Sequence, residues 1–135
     1  MIEKATVEMT EDGNFRSVGH RCDEMNPKEL LLYAAARCAG LTALMVMQKM
    51  HLTPKRLEVA YSGELDTETV QAESVFRSFH TAYHVDCGSS SDQEKANRAL
   101  TLTHEKYCGL TQMLRRIAPV SHEIAVVCSE PQAIR

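Results

Sequence analysis

The sequence predicts an α+β fold in which a largely antiparallel sheet wraps around a buried central helix. Segments that alternate polar with apolar residues come in neighbouring pairs, as in β-hairpins, and one long helical segment is apolar on every side. Repeated strand–helix–strand units, which build parallel sheets, do not dominate the pattern. The expected order of elements is β-β-α-β-β-α-α-β.

A hairpin is predicted at the amino end of the chain. Residues 6–10 alternate polar with apolar side chains, as a half-buried strand does. Asp12-Gly13 is a turn pair that tolerates positive φ, so residues 14–18 can return as a second strand. We expect a polar loop over residues 19–25.

The central helix has clear start and stop signals. Asn26 is suited to cap its amino end, Pro27 to the first helical position, and Glu29 to complete a capping box. The helix should end near His51, because Pro54 disfavours helical backbone in the residue before it.

The core of this helix, residues 30–47, is almost wholly apolar and about as long as a membrane span. Arg37 interrupts it near the middle, where a charge is costly in lipid. Strand patterns also surround it. We therefore expect a helix at the centre of a soluble protein or at a subunit interface.

Two further strands should follow. Residues 57–62 alternate, with Leu57, Val59 and Tyr61 on one face. The acidic segment 66–73 is expected to be an exposed connection. The longer fourth strand should direct one set of side chains to a common face: Val75, Phe79, Thr81, Tyr83 and Val85.

The carboxyl-terminal part is predicted to hold two helices and a strand. Residues 91–94 form a capping-box signature, so the second helix should run toward Tyr107. Its buried stripe is expected to contain Ala96, Ala99, Leu100 and Thr103. A third helix over 109–117 should stop at Pro119, and residues 121–128 should form the last strand. Nothing divides the chain, so we expect a single domain over residues 1–135.

Composition limits the function classes. The 135 residues carry 15 basic and 18 acidic side chains, a formal charge of −3, without long blocks of one sign. This pattern argues against nucleic-acid and polybasic membrane contacts. The first residues lack the apolar stretch of a signal peptide, so a cytoplasmic location is expected. The five cysteines suggest no disulfide framework, and any disulfide should be transient.

Cys38 and Cys108 are the candidate chemical groups. Cys38 lies within the apolar helix, where an inert core thiol with a raised pKa is the ordinary outcome. Arg37 points about 100° away around the helix and cannot be assumed to help. Cys108 is better placed, because N–H groups and the dipole at a helix amino end stabilise a thiolate. The two can form a reversible disulfide if the fold brings them together.

Other polar groups give weaker signals. His84-x-x-Cys87 and His20-x-Cys22 have spacings that metal ligands can use, but no second close pair accompanies them. We expect no metal site, and the roles of Cys22, Cys87 and Cys128 stay open. His104 shares a helix face with Cys108, although exposure is the default for such a histidine. The methionines should fill the core or a dimer seam.

Three stretches of the chain resemble the OsmC/Ohr family, most closely its short YhfA-like branch. They are Asn26-Pro27-x-Glu29-Leu30-Leu31-x(4)-Ala36-x-Cys38, Ala99-x-x-Leu102-x-x-Glu105-Lys106-Tyr107-Cys108, and Ile124-Ala125-Val126-Val127. The resemblance implies an intertwined homodimer, with two sheets wrapped around paired central helices and active sites at the subunit interface.

The resemblance also implies thiol-dependent reduction of organic hydroperoxides. Cys38 would attack the peroxide and become a sulfenic acid, and Cys108 would condense with it to a disulfide. A dithiol donor, in this family typically lipoyl-bearing, would restore both thiols. No metal or bound organic cofactor is implied.

The sequence departs from the family at two charged positions. Characterised peroxidases carry an arginine in the first hairpin turn and a glutamate directly after Asn-Pro. Here residues 11–13 read Glu-Asp-Gly, and Lys28 occupies the second position, unless the hairpin alignment shifts to Arg16.

No nearby charge obviously replaces that arginine–glutamate pair. Glu29 lies roughly two and a half turns before Cys38, on the opposite helical face. A pair between Lys28 and Glu11 would order the loop without placing a guanidinium beside Cys38. The main alternative is therefore a non-catalytic dimer that binds a small apolar ligand at the subunit interface. A purely structural role for both cysteines is the simplest remaining reading.

Overall fold

The computed structural model describes residues 1–129, in which five strands and three α-helices follow the predicted order. Three further short segments are helical: 3-10 turns at Cys22–Glu24 and Ser90–Asp92, and a π-helical turn at Thr103–Tyr107. The predicted span of 1–135 extends over residues 130–135, which lie outside the described residues. The elements are β1 (Ile2–Met9), β2 (Phe15–Ser17), α1 (Pro27–Lys49), β3 (Arg56–Leu65), β4 (Phe76–Asp86), α2 (Gln93–Leu102), α3 (Gly109–Arg115) and β5 (Val120–Val127).

The strands form one sheet in the order β2-β1-β3-β4-β5. Every neighbouring pair is antiparallel except β4 and β5, which run parallel because α2 and α3 carry the chain back between them. The register aligns one core-facing residue from each long strand in a row: Val7, Val59, Tyr83 and Ile124. The largely antiparallel α+β fold is confirmed.

The helix α1 packs across β1 and β3 through small side chains. Its buried face is rich in alanine, which lets the helix backbone approach the sheet closely: Ala35, Ala36, Ala39 and Ala43. At Gly40 there is no room for a side chain, since an added Cβ would lie 2.7 Å from the Phe15 ring. The same helix touches α2 and α3, so it supports both layers of the fold.

The opposite side of α1 is apolar but uncovered within the chain. Leu30, Leu31, Leu41 and Met45 are exposed, and Met45 retains 50% of its surface. By length and composition α1 would suit a membrane, yet half of its most apolar window, 50%, is buried inside the protein. The helix therefore packs against the sheet on one side and presents an uncovered apolar stripe on the other.

Two local predictions are wrong. The signature at residues 91–94 does not cap α2, because Ser89 caps a preceding short turn and the side chain of the N-cap residue Asp92 makes no capping hydrogen bond. Val75 precedes β4 and is 59% exposed, so it does not share the buried face of that strand. The helical backbone does run toward Tyr107 as predicted, but it changes after Leu102 from an α-helix to a π-helical turn.

The capping box of α1 is only half formed. The Asn26 side chain accepts a hydrogen bond from the Glu29 backbone N–H at 2.9 Å. The Glu29 carboxylate, however, contacts His20 Nδ1 at 2.7 Å instead of returning to Asn26. Asn26 Nδ2 also donates to the Glu3 carboxylate at 3.2 Å. The start of α1 is thus tied to β1 and to the loop before the helix.

We expect Asn26→Ala to lower the free energy of unfolding by about 1 kcal/mol, because the Glu29 N–H loses its acceptor. Asn26→Ser is the matched control: it also loses the bond to Glu3 but keeps a capping hydroxyl, so most of the stability should return. Urea unfolding at one fixed protein concentration measures both. Equal midpoints for the alanine and serine variants would show that the cap contributes nothing.

Candidate thiol site

The helix α1 and the turn before α3 bring Cys38 and Cys108 together. The Cys108 thiol donates toward the Cys38 sulfur across 3.6 Å. Cys38 is half-buried on the exposed apolar side of α1, whereas Cys108 is 0% exposed. The two sulfurs are therefore neighbours with different access to solvent.

A π-helical turn, Thr103–Tyr107, determines where Cys108 lies. The Cys108 N–H bonds to the Thr103 carbonyl at 2.9 Å, five residues back, and the backbone then leaves the helix. The Arg115 guanidinium holds this turn by donating to the carbonyls of His104 at 2.7 Å and Glu105 at 3.1 Å. Wide turns of this kind often mark functional positions in helices.

Cys38 is the thiolate of the pair. The Cys38 pKa falls from 9.0 to about 5, and the hydrogen bond from Cys108 is the largest cause. Burial opposes this, while the backbone N–H groups of Leu110 and Gly109 and the Thr42 hydroxyl add to it. The prediction that Cys108 is the better-placed thiolate is wrong, because the backbone N–H groups at the amino end of α3 stabilise the Cys38 thiolate instead.

Cys108 stays protonated for the complementary reason. Its hydrogen bond to Cys38 and its burial raise its pKa, and donors from Thr111 only partly offset this. Thr111 Oγ1 in turn lies 3.0 Å from the Tyr61 hydroxyl. Burial raises the pKa of Tyr61 and of Tyr83, so the wall behind Cys108 is uncharged near neutrality. The site thus holds one negative charge, at Cys38.

Two basic residues close to the cysteines in sequence, Arg37 and His104, do not supply a positive charge to the sulfurs. Arg37 donates to Asn14 Oδ1 in the first hairpin at 2.8 Å. His104 was expected to be exposed, but it is 1% exposed, with its Nδ1 3.4 Å from the Tyr83 hydroxyl. Burial is the main reason that the His104 pKa falls to about 4, and neighbouring charges on His122 and Arg115 lower it further. His104 is therefore neutral near pH 7.

The charged residues that depart from the family pattern have other partners. Lys28 Nζ donates to the Gln71 carbonyl at 2.9 Å rather than pairing with Glu11. Arg16 pairs with Glu8 at 2.8 Å on the sheet surface. Within the chain, neither cation lies against the Cys38 sulfur.

The remaining cysteines lie elsewhere. Cys22 is exposed, and Cys87 and Cys128 follow the ends of β4 and β5. Over residues 1–129, no three histidine, cysteine or acidic side chains converge in a way that would hold a metal ion. His20 contacts Glu29, and the Cys87 sulfur contacts backbone carbonyls.

Sequence reasoning missed the donors around the sulfurs. Thr42 was detectable, because it follows Cys38 by four residues and so shares its helix face. The amides of Gly109 and Leu110 and the Thr111 hydroxyl were not, since their position depends on how α3 packs against α1.

Comparisons with known proteins agree with this fold. A sequence model described as OsmC-like protein matches residues 20–123. Protein YhfA of Escherichia coli K12 is 28% identical over 104 residues, which cover 77% of this chain and 75% of YhfA.

Solved structures give the same result for the fold. The OsmC-like hydroperoxide resistance protein of Jannaschia sp. CCS1 superposes with a TM-score of 0.62 at 14% identity, covering 84% of this chain and 85% of that one. The organic hydroperoxide resistance protein OhrB of Bacillus subtilis gives 0.58 at 16% identity, covering 93% and 98%.

The alkylation rate of Cys38 should follow its thiolate fraction, with a midpoint near pH 5. Cys108→Ala removes the donor that contributes most, so its midpoint should rise by about one unit or more. Cys108→Ser keeps an O–H donor and should lie between the two. Iodoacetamide labelling, followed by mass spectrometry of tryptic peptide 38–49, isolates Cys38 from the other thiols. An unchanged midpoint in Cys108→Ala would refute this account of the pKa.

Proposed function

Because the chain belongs to the OsmC family, whose sequence model matches residues 20–123, we propose that it is a thiol-dependent redox protein that reduces organic hydroperoxides. The observation that carries the proposal is the pair formed by Cys38 and Cys108, with sulfurs 3.6 Å apart and one of them ionised near neutrality. An ionised, accessible thiol beside a second thiol is the arrangement that such chemistry requires.

The reaction divides between the two cysteines. The Cys38 thiolate attacks the terminal oxygen of the hydroperoxide, the O–O bond breaks, and the alkoxide leaves with a proton as the alcohol. Cys38 is then a sulfenic acid. The Cys108 thiol attacks that sulfur, water leaves, and an intrachain disulfide remains. The protein has given two electrons to the peroxide.

Burial supports this division of roles. Cys38 is half-buried on the uncovered apolar side of α1, so a small substrate can reach its sulfur from that side. Cys108 is fully buried, and its nearest sulfur is that of Cys38. The donors of Thr42, Gly109 and Leu110 stabilise the thiolate in place of the arginine–glutamate pair typical of the family.

A dithiol of the lipoyl type is the proposed reductant. Its thiolate would attack the disulfide at the more accessible Cys38 sulfur, and its second thiol would complete the exchange. The proposal needs no metal and no bound organic cofactor. It places the protein in the cytoplasm, where such dithiols act, without nucleic-acid or membrane partners.

A homodimer is part of the proposal. Cys38 lies within the uncovered apolar stripe of α1 that includes Leu30, Leu31, Leu41 and Met45. A second copy packed on this stripe would remove it from water and shield the thiolate. The site would then lie at the subunit interface.

A non-catalytic role in binding an apolar ligand is the second candidate. It is favoured by an apolar groove of about 230 Å³ between α1 and the turn before Cys108, lined by Met45, Val46, Lys49, Met50, Leu102 and Tyr107. A binder would use the groove and leave the thiols unchanged. The two functions therefore differ in what happens to Cys38.

Titrating the reduced protein with cumene hydroperoxide should consume about one equivalent per chain and yield a disulfide between tryptic peptides 38–49 and 107–115. Cys38→Ser should consume none. Cys108→Ser should stop at a sulfenic acid on residue 38, which dimedone traps.

The binding alternative gives the opposite result. Both thiols would stay open to alkylation after peroxide treatment, and cumyl alcohol or a similar apolar ligand would raise the melting temperature. That combination would overturn the peroxidase proposal.

A further inference from the structure

A second pair of cysteines meets where β4 and β5 end. The parallel register pairs Phe79 with Val120 and continues to Asp86 with Val127. The next residues in that register are Cys87 and Cys128. Cys87 lies on the core-facing side of its strand, as Tyr83 and Val85 of β4 do.

Each sulfur contacts the backbone next to the other cysteine. Cys87 Sγ lies 3.5 Å from the Val127 carbonyl, which precedes Cys128. Cys128 Sγ lies 2.9 Å from the Gly88 carbonyl, which follows Cys87. The two side chains therefore cross the same gap from opposite strands. Partners on neighbouring strands are about 4.8 Å apart, and disulfides usually join Cα atoms roughly 4.4–6.8 Å apart.

The Asp86 carboxylate holds both strand ends in this position. It accepts the backbone N–H of Gly88 at 2.9 Å and that of Ser129 at 3.2 Å. These bonds lower the Asp86 pKa, so the Asp86 carboxylate stays charged near neutrality. The Cys87 N–H also bonds to the Val127 carbonyl at 3.1 Å. The backbone is thus already arranged for a cross-strand bond.

We propose that Cys87 and Cys128 are a second dithiol, which exchanges with low-molecular-weight disulfides and becomes a disulfide between the ends of β4 and β5. The inference does not depend on the peroxidase proposal, because it uses different residues and a different oxidant.

The exchange takes two steps. Cys128 loses its proton, and its thiolate attacks one sulfur of a disulfide RSSR, so that a mixed disulfide forms and RS⁻ leaves to be protonated. Cys87 then loses its proton and attacks the Cys128 sulfur, which releases the second RSH. The protein is oxidised by two electrons and RSSR is reduced to two thiols.

Exposure sets the order of attack. Cys87 is 5% exposed, whereas Cys128 is half-buried and open to a small disulfide. Burial and the neighbouring Cys128 charge raise the Cys87 pKa. Cys87 should therefore act second, once the mixed disulfide has placed an electrophilic sulfur beside it.

Tryptic mapping after anaerobic treatment with oxidised glutathione tests the pair. Trypsin places four cysteines on separate peptides: Cys38 on 38–49, Cys87 on 78–95, Cys108 on 107–115 and Cys128 on 117–135. We expect peptides 78–95 and 117–135 to be linked by a disulfide, in the wild type and equally in the Cys38→Ser/Cys108→Ser variant. The variant separates this result from the chemistry of the first pair.

Two single variants define the roles. Cys87→Ser should stop with glutathione attached at Cys128, and Cys128→Ser should react much more slowly at Cys87. A stable glutathione adduct on Cys128 in protein that keeps Cys87, or thiols at both positions that remain open to alkylation, would overturn the proposal. Circular dichroism of each variant before treatment confirms that the fold is retained.

Discussion

The hydrogen bond from the Cys108 thiol to the Cys38 sulfur is the interaction on which the site depends. It lowers the pKa of one cysteine and raises that of the other, so a single proton is held between two chemically identical side chains. Without it, burial would oppose ionisation of Cys38, and only the weaker donors of Leu110, Gly109 and Thr42 would favour the thiolate. The bond also keeps the second sulfur within reach of the first.

The fold positions each of the two cysteines independently. Alanines on α1 let the helix lie close to the sheet, which fixes the height of Cys38 above β1 and β3. On the other side, the π-helical turn and Arg115 fix Cys108, and the first amides of α3 face Cys38. Charge stabilisation therefore comes first from the Cys108 thiol and then from backbone and hydroxyl donors, all of which are in place before any substrate binds.

Much of the fold was predictable from the sequence, because alternation and capping signals depend on local physics. The strands around Val59 and Tyr83 and the start of α1 at Asn26 follow from such patterns. The site was predictable only in part. Two cysteines in helical settings suggested the pair, but a π-helical turn has no clear sequence signal. Because of this turn, the amino end of α3 stabilises the Cys38 thiolate. The burial of His104 likewise depends on its packing against Tyr83.

The most direct test of this account is an NMR titration of the backbone amides of Gly109 and Leu110 in the reduced protein. Both N–H groups help to lower the Cys38 pKa, so both resonances should move together with a midpoint near pH 5, and the movement should vanish in Cys38→Ala. Amides that are insensitive to pH in this range, or that move only near the ordinary thiol pKa of 9.0, would contradict a thiolate at Cys38.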